Sequence, residues 1–131
     1  MNHHDDEDMT YDLSIPLTLD AYQRQAMQTR SPRADLLYTA GKLTVEAAEL
    51  QQHVLKAHYH GQPGPSQAML DELGDVLWYA AAVAADLGLT LGDVAAANLA
   101  KLRQRHGSAY NPAHYQAAHQ GAQWNHYEQE R

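Results

Sequence analysis

The sequence predicts an all-α protein: an antiparallel helix bundle of four core helices with a peripheral fifth at the C-terminus. Three observations predict it. Apolar residues recur at helical spacing from about residue 19 to 106, and capping and stop residues punctuate that pattern. The composition is alanine-rich, with no phenylalanine to favour a sheet.

The elements follow in order. Thr18 can cap a first helix over Leu19 to about Arg30, with Leu19, Tyr22 and Ala26 on one side. Ser31-Pro32, a cap followed by proline, starts a second helix that runs to about His60. The run GQPGP at 61–65 forbids its continuation. Ser66 caps a third helix that runs to Leu87, with Gly88 as its stop. Thr90 and Asp93 resemble a capping box for a fourth, near 91–106, ending before Gly107. Asn111-Pro112 can open a last, polar helix. Residues 1–15, with the charge run HHDDED, read as a flexible acidic arm; 16–107 form the domain, and 108–131 a polar extension rich in His, Gln and Tyr.

Composition narrows the function classes. A chain of 131 residues fits one domain, and with no cysteine it has neither disulfides nor thiolate metal sites. No apolar run reaches about 18 residues, and no basic-then-apolar leader opens the chain, so a soluble cytoplasmic protein without membrane partners is expected. The net charge of -7 argues against a broad nucleic-acid surface. It leaves nucleotides open, because a bound cation inverts the local sign.

Two acidic pairs carry the chemistry: Glu46 and Glu49 in VEAAEL, and Glu72 and Asp75 in DELGDVLWY. At about 100° per residue, partners spaced i, i+3 leave a helix along one narrow stripe. On the second helix Leu36, Leu43, Ala47, Leu50 and Val54 read as the core stripe; on the third, Met69, Leu73, Val76, Ala80, Val83 and Leu87 do. Each acid pair then sits about 100° from the centre of its stripe. The short link makes the two helices antiparallel neighbours, so both pairs can flank one groove. Four convergent carboxylates suit a hard cation, Mg²⁺ or Mn²⁺, able to clamp phosphate oxygens and activate water. Lys56 falls on the Glu46/Glu49 stripe, in reach of a phosphate; His53 lies one turn after Glu49, and Trp78 reads as packing or interface. The third helix is apolar almost all round from Val76 to Leu87, which calls for partner surface and hence a homo-oligomer, at least a dimer.

These residues carry a family resemblance. The stretch from Glu46 to Arg105 resembles the MazG-type, all-α nucleoside triphosphate pyrophosphohydrolases, whose hallmark is E-x-x-E, a spacer, then E-x-x-D. Glu46-Ala-Ala-Glu49 and Glu72-Leu-Gly-Asp75 match it with 22 residues between. The match extends through ELGDVLWY and NLAKLRQR, and LTLDAYQRQAM resembles the family's first helix, so the likeness covers roughly residues 17–106. The resemblance implies Mg²⁺-dependent hydrolysis of a nucleoside or deoxynucleoside triphosphate to monophosphate and pyrophosphate, with Glu46, Glu49, Glu72 and Asp75 on metal. It also implies that Tyr79 lies beside the nucleotide and that Asn98 and Lys101 reach nucleotide or phosphate. The chain departs from the family at Val45 and Ala48, where glycines are usual, and at Arg105-His106-Gly107, where relatives often read R-Y-P.

Competing readings differ in class. A carboxylate-bridged di-iron bundle wants Glu-x-x-His pairs, and no glutamate here has a histidine three residues later. A helical interaction module without catalysis would show neither metal affinity nor turnover. Within the same superfamily, a dUTP- or dCTP-preferring enzyme and a phosphoribosyl-ATP pyrophosphohydrolase stay open.

Overall fold

The computed structural model describes residues 16–62 and 64–113. All of their regular structure is helical, with no strand among the described residues: α1 (Leu19–Met27), α2 (Leu36–Tyr59), α3 (Gln67–Asp86) and α4 (Leu91–His106). The acidic arm and the body of the expected C-terminal helix lie outside the described residues. The chain divides into a unit ending at Gly92 and a unit from Asp93. No single described helix is long and apolar enough to cross a membrane.

Local chemistry sets the helix ends. Thr18 accepts from the Ala21 N–H at 3.1 Å and Ser66 from the Met69 N–H at 3.2 Å, as their sequence positions predict. Gly88, at φ 72, supplies the left-handed turn that stops α3. The start of α2 differs from expectation. Ser31-Pro32 forms a turn closed by Ala34 N–H on the Ser31 carbonyl at 3.1 Å, and α1 ends early, at Met27. Asp35 is the actual cap, accepting from the Tyr38 N–H at 2.9 Å. A carboxylate also meets the positive end of a helix, an advantage that a serine lacks.

In the first unit, α3 is central, with α2 packed along it and α1 against it. Thr39 reaches Asp86 at 3.1 Å and His53 reaches Glu72 at 3.4 Å, so the start of α2 meets the end of α3 and the hairpin is antiparallel. The covered stripe of α2 is Thr39, Lys42, Leu43, Glu46, Leu50, His53 and Ala57. This corrects the predicted phase: Leu36, Ala47 and Val54 are exposed, and Glu46 lies in the seam itself. On α3, Met69, Val76, Ala80 and Val83 are covered as read, but Glu72 joins them, while Leu73 and Leu87 are exposed.

Polar side chains fasten α1. Arg30 bridges to Asp86 at 2.8 Å, and the same Asp86 oxygen accepts from Thr39, so one carboxylate ties α2, α3 and the connection that follows α1. Hydrogen bonding to Arg30 holds the Asp86 carboxyl below the usual carboxylate range. Trp78 donates its indole N–H to Thr29 Oγ1 at 2.9 Å and to the Ala26 carbonyl at 3.2 Å. Gln23 is buried, donating to the Ala81 and Leu89 carbonyls and accepting from the Leu91 N–H, beside the small apolar cluster of Ala81, Ala84 and Leu91. The Gly92 N–H reaches Asp20 at 2.8 Å, an approach that a Cβ would block because it would stand 2.7 Å from the same oxygen.

Replacing Gln23 by Ala leaves buried partners of that side chain unsatisfied and should lower the unfolding free energy by about 2 kcal/mol. Urea denaturation reads this; a loss below about 0.5 kcal/mol would show that the fold does not depend on the clamp.

Candidate metal centre

The hairpin brings together the two acid pairs of the sequence. Glu46 lies in the α2 seam at 6% exposure, and Glu72 is half-buried on α3. Asp75, one turn further along α3, is exposed on the same stripe. Glu46, Glu72 and Asp75 each offer a carboxylate oxygen within 4.8 Å of the others. Glu49, on the exposed side, feels the charge of Glu46 and, less strongly, that of Glu72. Three of the four predicted acids, Glu46, Glu72 and Asp75, thus come together, with Glu49 outside the close trio.

Their electrostatics show crowding of like charge. The Glu46 carboxylate, then desolvation and Glu72, hold the Glu49 carboxyl above the usual carboxylate range. Desolvation, then Glu46 and Glu72, push Asp75 up in the same way. Burial, then the charge of Asp75, raises the Tyr22 phenol on α1. Oxygen-only donors from two rigid helices, with mutual repulsion that a cation would relieve, fit a hard divalent ion. They do not fit a soft or thiolate-bound metal, since no sulfur or second histidine joins the set.

Tyr79 borders the acids; burial and a hydrogen bond to Tyr38 raise its phenol. His53 Nε2 stands 3.4 Å from Glu72 Oε1, so it is a neighbour of the cluster rather than a free surface histidine. Lys56 is exposed and forms no ion pair among the described residues. Asn98 and Lys101 lie on α4 in the unit from Asp93. Trp78 packs on α1, as the packing reading expects.

Sequence reasoning missed Lys42. Its Nζ lies 2.7 Å from Glu46 Oε1 and 5.8 Å from the centre of the Tyr79 ring. The hydrogen bond to Glu46 raises its ammonium further above the ordinary lysine value. An available signal was the i, i+4 spacing of Lys42 and Glu46, which places them on one helix face.

Fold and site thus define a class: an all-α protein in which carboxylates from the two arms of a helical hairpin form a cluster that could hold a metal ion. The MazG nucleotide pyrophosphohydrolase domain matches residues 36–109, and the chain belongs to that family. No curated protein and no solved structure was found to match it.

Removing a crowded charge should stabilise the metal-free protein. Glu49 has a raised carboxyl in the fold, so its contribution favours folding below the ordinary carboxylate pKa and is lost as pH rises through the raised one. Glu49→Gln should therefore raise Tm at pH 7 without metal, and the gain should vanish as the pH falls below about 4. A Tm difference that ignores pH would place the effect outside the cluster's electrostatics.

Proposed function

We propose that this protein hydrolyses nucleoside or deoxynucleoside triphosphates to the monophosphate and pyrophosphate, using Mg²⁺ or Mn²⁺. The observation that carries this reading is the convergence of Glu46, Glu72 and Asp75, drawn from both halves of the family's acidic motif. When bound, the metal would supply positive charge to the triphosphate oxygens and help to activate water. Glu46, Glu72 and Asp75 would hold it, with Glu49 completing the set.

The chain's own groups then divide the work. Glu49 lies outside the close trio on the exposed side of α2, which suits it to take a proton from the attacking water. The water oxygen bonds to the α phosphorus, and the bond to the α–β bridging oxygen breaks, so that oxygen leaves with pyrophosphate. Tyr79, bordering the acids, would lie along the nucleotide. Lys101 and Asn98 on α4, and Lys56 at the open end of the α2 stripe, are assigned to the phosphates and nucleotide through the resemblance and the helix register. The four helices would complete their bundle within a homodimer or homotetramer in the cytoplasm. Outward-facing Leu70, Leu73 and Leu77 on α3 and Leu37 on α2, 84% exposed, support that assembly, because such apolar surface favours burial.

Product chromatography after incubation with Mg²⁺ and a panel of common, deoxy and oxidised triphosphates tests the reaction. Monophosphate and pyrophosphate are expected; diphosphate and orthophosphate would refute cleavage between α and β. Glu72→Gln and Asp75→Asn should each lower turnover by at least about 100-fold with helix content intact. Unchanged metal titration in both variants would show that the ion binds elsewhere.

A further inference from the structure

The carboxylate centre already contains a cation. Lys42 and Glu46 are one helical turn apart on α2, and their side chains are 32% and 8% exposed, so this pair is sheltered on the acid's side. Glu46 also belongs to the trio whose oxygens lie within 4.8 Å of one another. The same carboxylate is thus engaged by an ammonium and offered to a metal ion. Two cations that close repel each other strongly at the reduced dielectric of a protein margin. Glu46 has no other ion-pair partner among the described residues. The stem of Lys42 has somewhere to go: its Nζ already stands 5.8 Å above Tyr79, whose ring face attracts a cation.

We propose that Lys42 is an exchangeable counter-cation of the centre, which holds Glu46 in the metal-free protein and yields it when a divalent ion binds. This rests on the metal reading above, though not on the reaction assigned to it. A lysine suits such a role because its ammonium is a single charge on a flexible stem, able to leave without disturbing the helix. Linkage makes the consequence reciprocal: whatever steadies the empty centre through Lys42 must weaken metal affinity by the same factor. Lys42 is a positioning residue in this account, since it acts through Glu46.

The test compares wild type, Lys42→Met and Lys42→Arg by Mn²⁺ titration, with free Mn²⁺ counted by electron paramagnetic resonance, alongside metal-free melting curves. Methionine keeps the length of the side chain and removes the charge. Lys42→Met should lower the metal-free Tm and bind Mn²⁺ roughly tenfold more tightly, while Lys42→Arg stays near wild type on both. Opposite shifts in stability and affinity are what a merely structural ion pair would not produce. Equal or weaker Mn²⁺ binding by Lys42→Met, with wild type binding normally, overturns the role of Lys42 alone. Absence of Mn²⁺ binding in wild type overturns the metal reading and this inference together. Should Lys42→Met fail to fold, ¹⁵N spectra of the lysine side chains in wild type decide instead. The Lys42 ammonium signal should move as Mg²⁺ is added, and a signal that does not move overturns the exchange.

Discussion

Glu46 sits in the seam of a helical hairpin, where a carboxylate persists only if a positive charge stands beside it. Burying it without a partner would be strongly unfavourable, and Lys42 at 2.7 Å supplies the partner. From that one placement the rest of the centre follows. Glu72 faces the same seam from α3, Asp75 follows one turn later, and Glu49 stands outside within reach of the Glu46 charge. The hairpin is therefore not fastened by a continuous apolar seam. Its fastening is polar at the far end too, where Asp86 gathers Arg30 and Thr39. Depression of the Asp86 carboxyl means that its contribution is present above the ordinary carboxylate range and is lost as pH falls through its lowered pKa. The raised carboxyls of Glu49 and Asp75 act in the opposite sense, so the two ends of the hairpin respond oppositely to acid.

Such a seam leaves little apolar burial inside one chain. Among the described residues the buried apolar side chains are Ala26, Ala81, Ala82, Ala84 and Leu91, small except for the last. Large ones such as Leu37 and Leu73 face outward. Small residues along α3 let α1 approach closely enough for Gln23 to bond backbone carbonyls directly, so positioning is achieved by hydrogen bonds where bulk is missing. The outward leucines are the natural surface for the proposed assembly.

Much of this was legible in the sequence, and the failures have physical causes. Thr18, Ser66 and Gly88 act locally, through one hydrogen bond or one left-handed residue, so their positions alone predict helix ends. Ser31-Pro32 and Asp35 carry competing cap signals four residues apart, and only the surrounding contacts choose Asp35. Hydrophobic periodicity found Leu43 and Leu50 on the covered side of α2 but added the exposed Leu36, Ala47 and Val54, because apolar residues count alike whether they face a core or another molecule. Thr39, Glu46 and His53, which line the true seam, count as outside in any such pattern. Glu46, Glu72 and Asp75, which the structure gathers, were singled out by motif and spacing, which are indifferent to that phase error. Lys42 escaped because a lysine on a helix reads as solvated until the burial of its partner is known.

Anomalous diffraction from crystals grown with Mn²⁺ would test the central claim most directly, since it locates the ion without reference to activity. The account predicts a manganese peak bounded by the carboxylates of Glu46, Glu72 and Asp75, with Glu49 at its edge. A well-ordered hairpin with no peak between α2 and α3 at saturating Mn²⁺, or a peak only at histidines elsewhere, would contradict it.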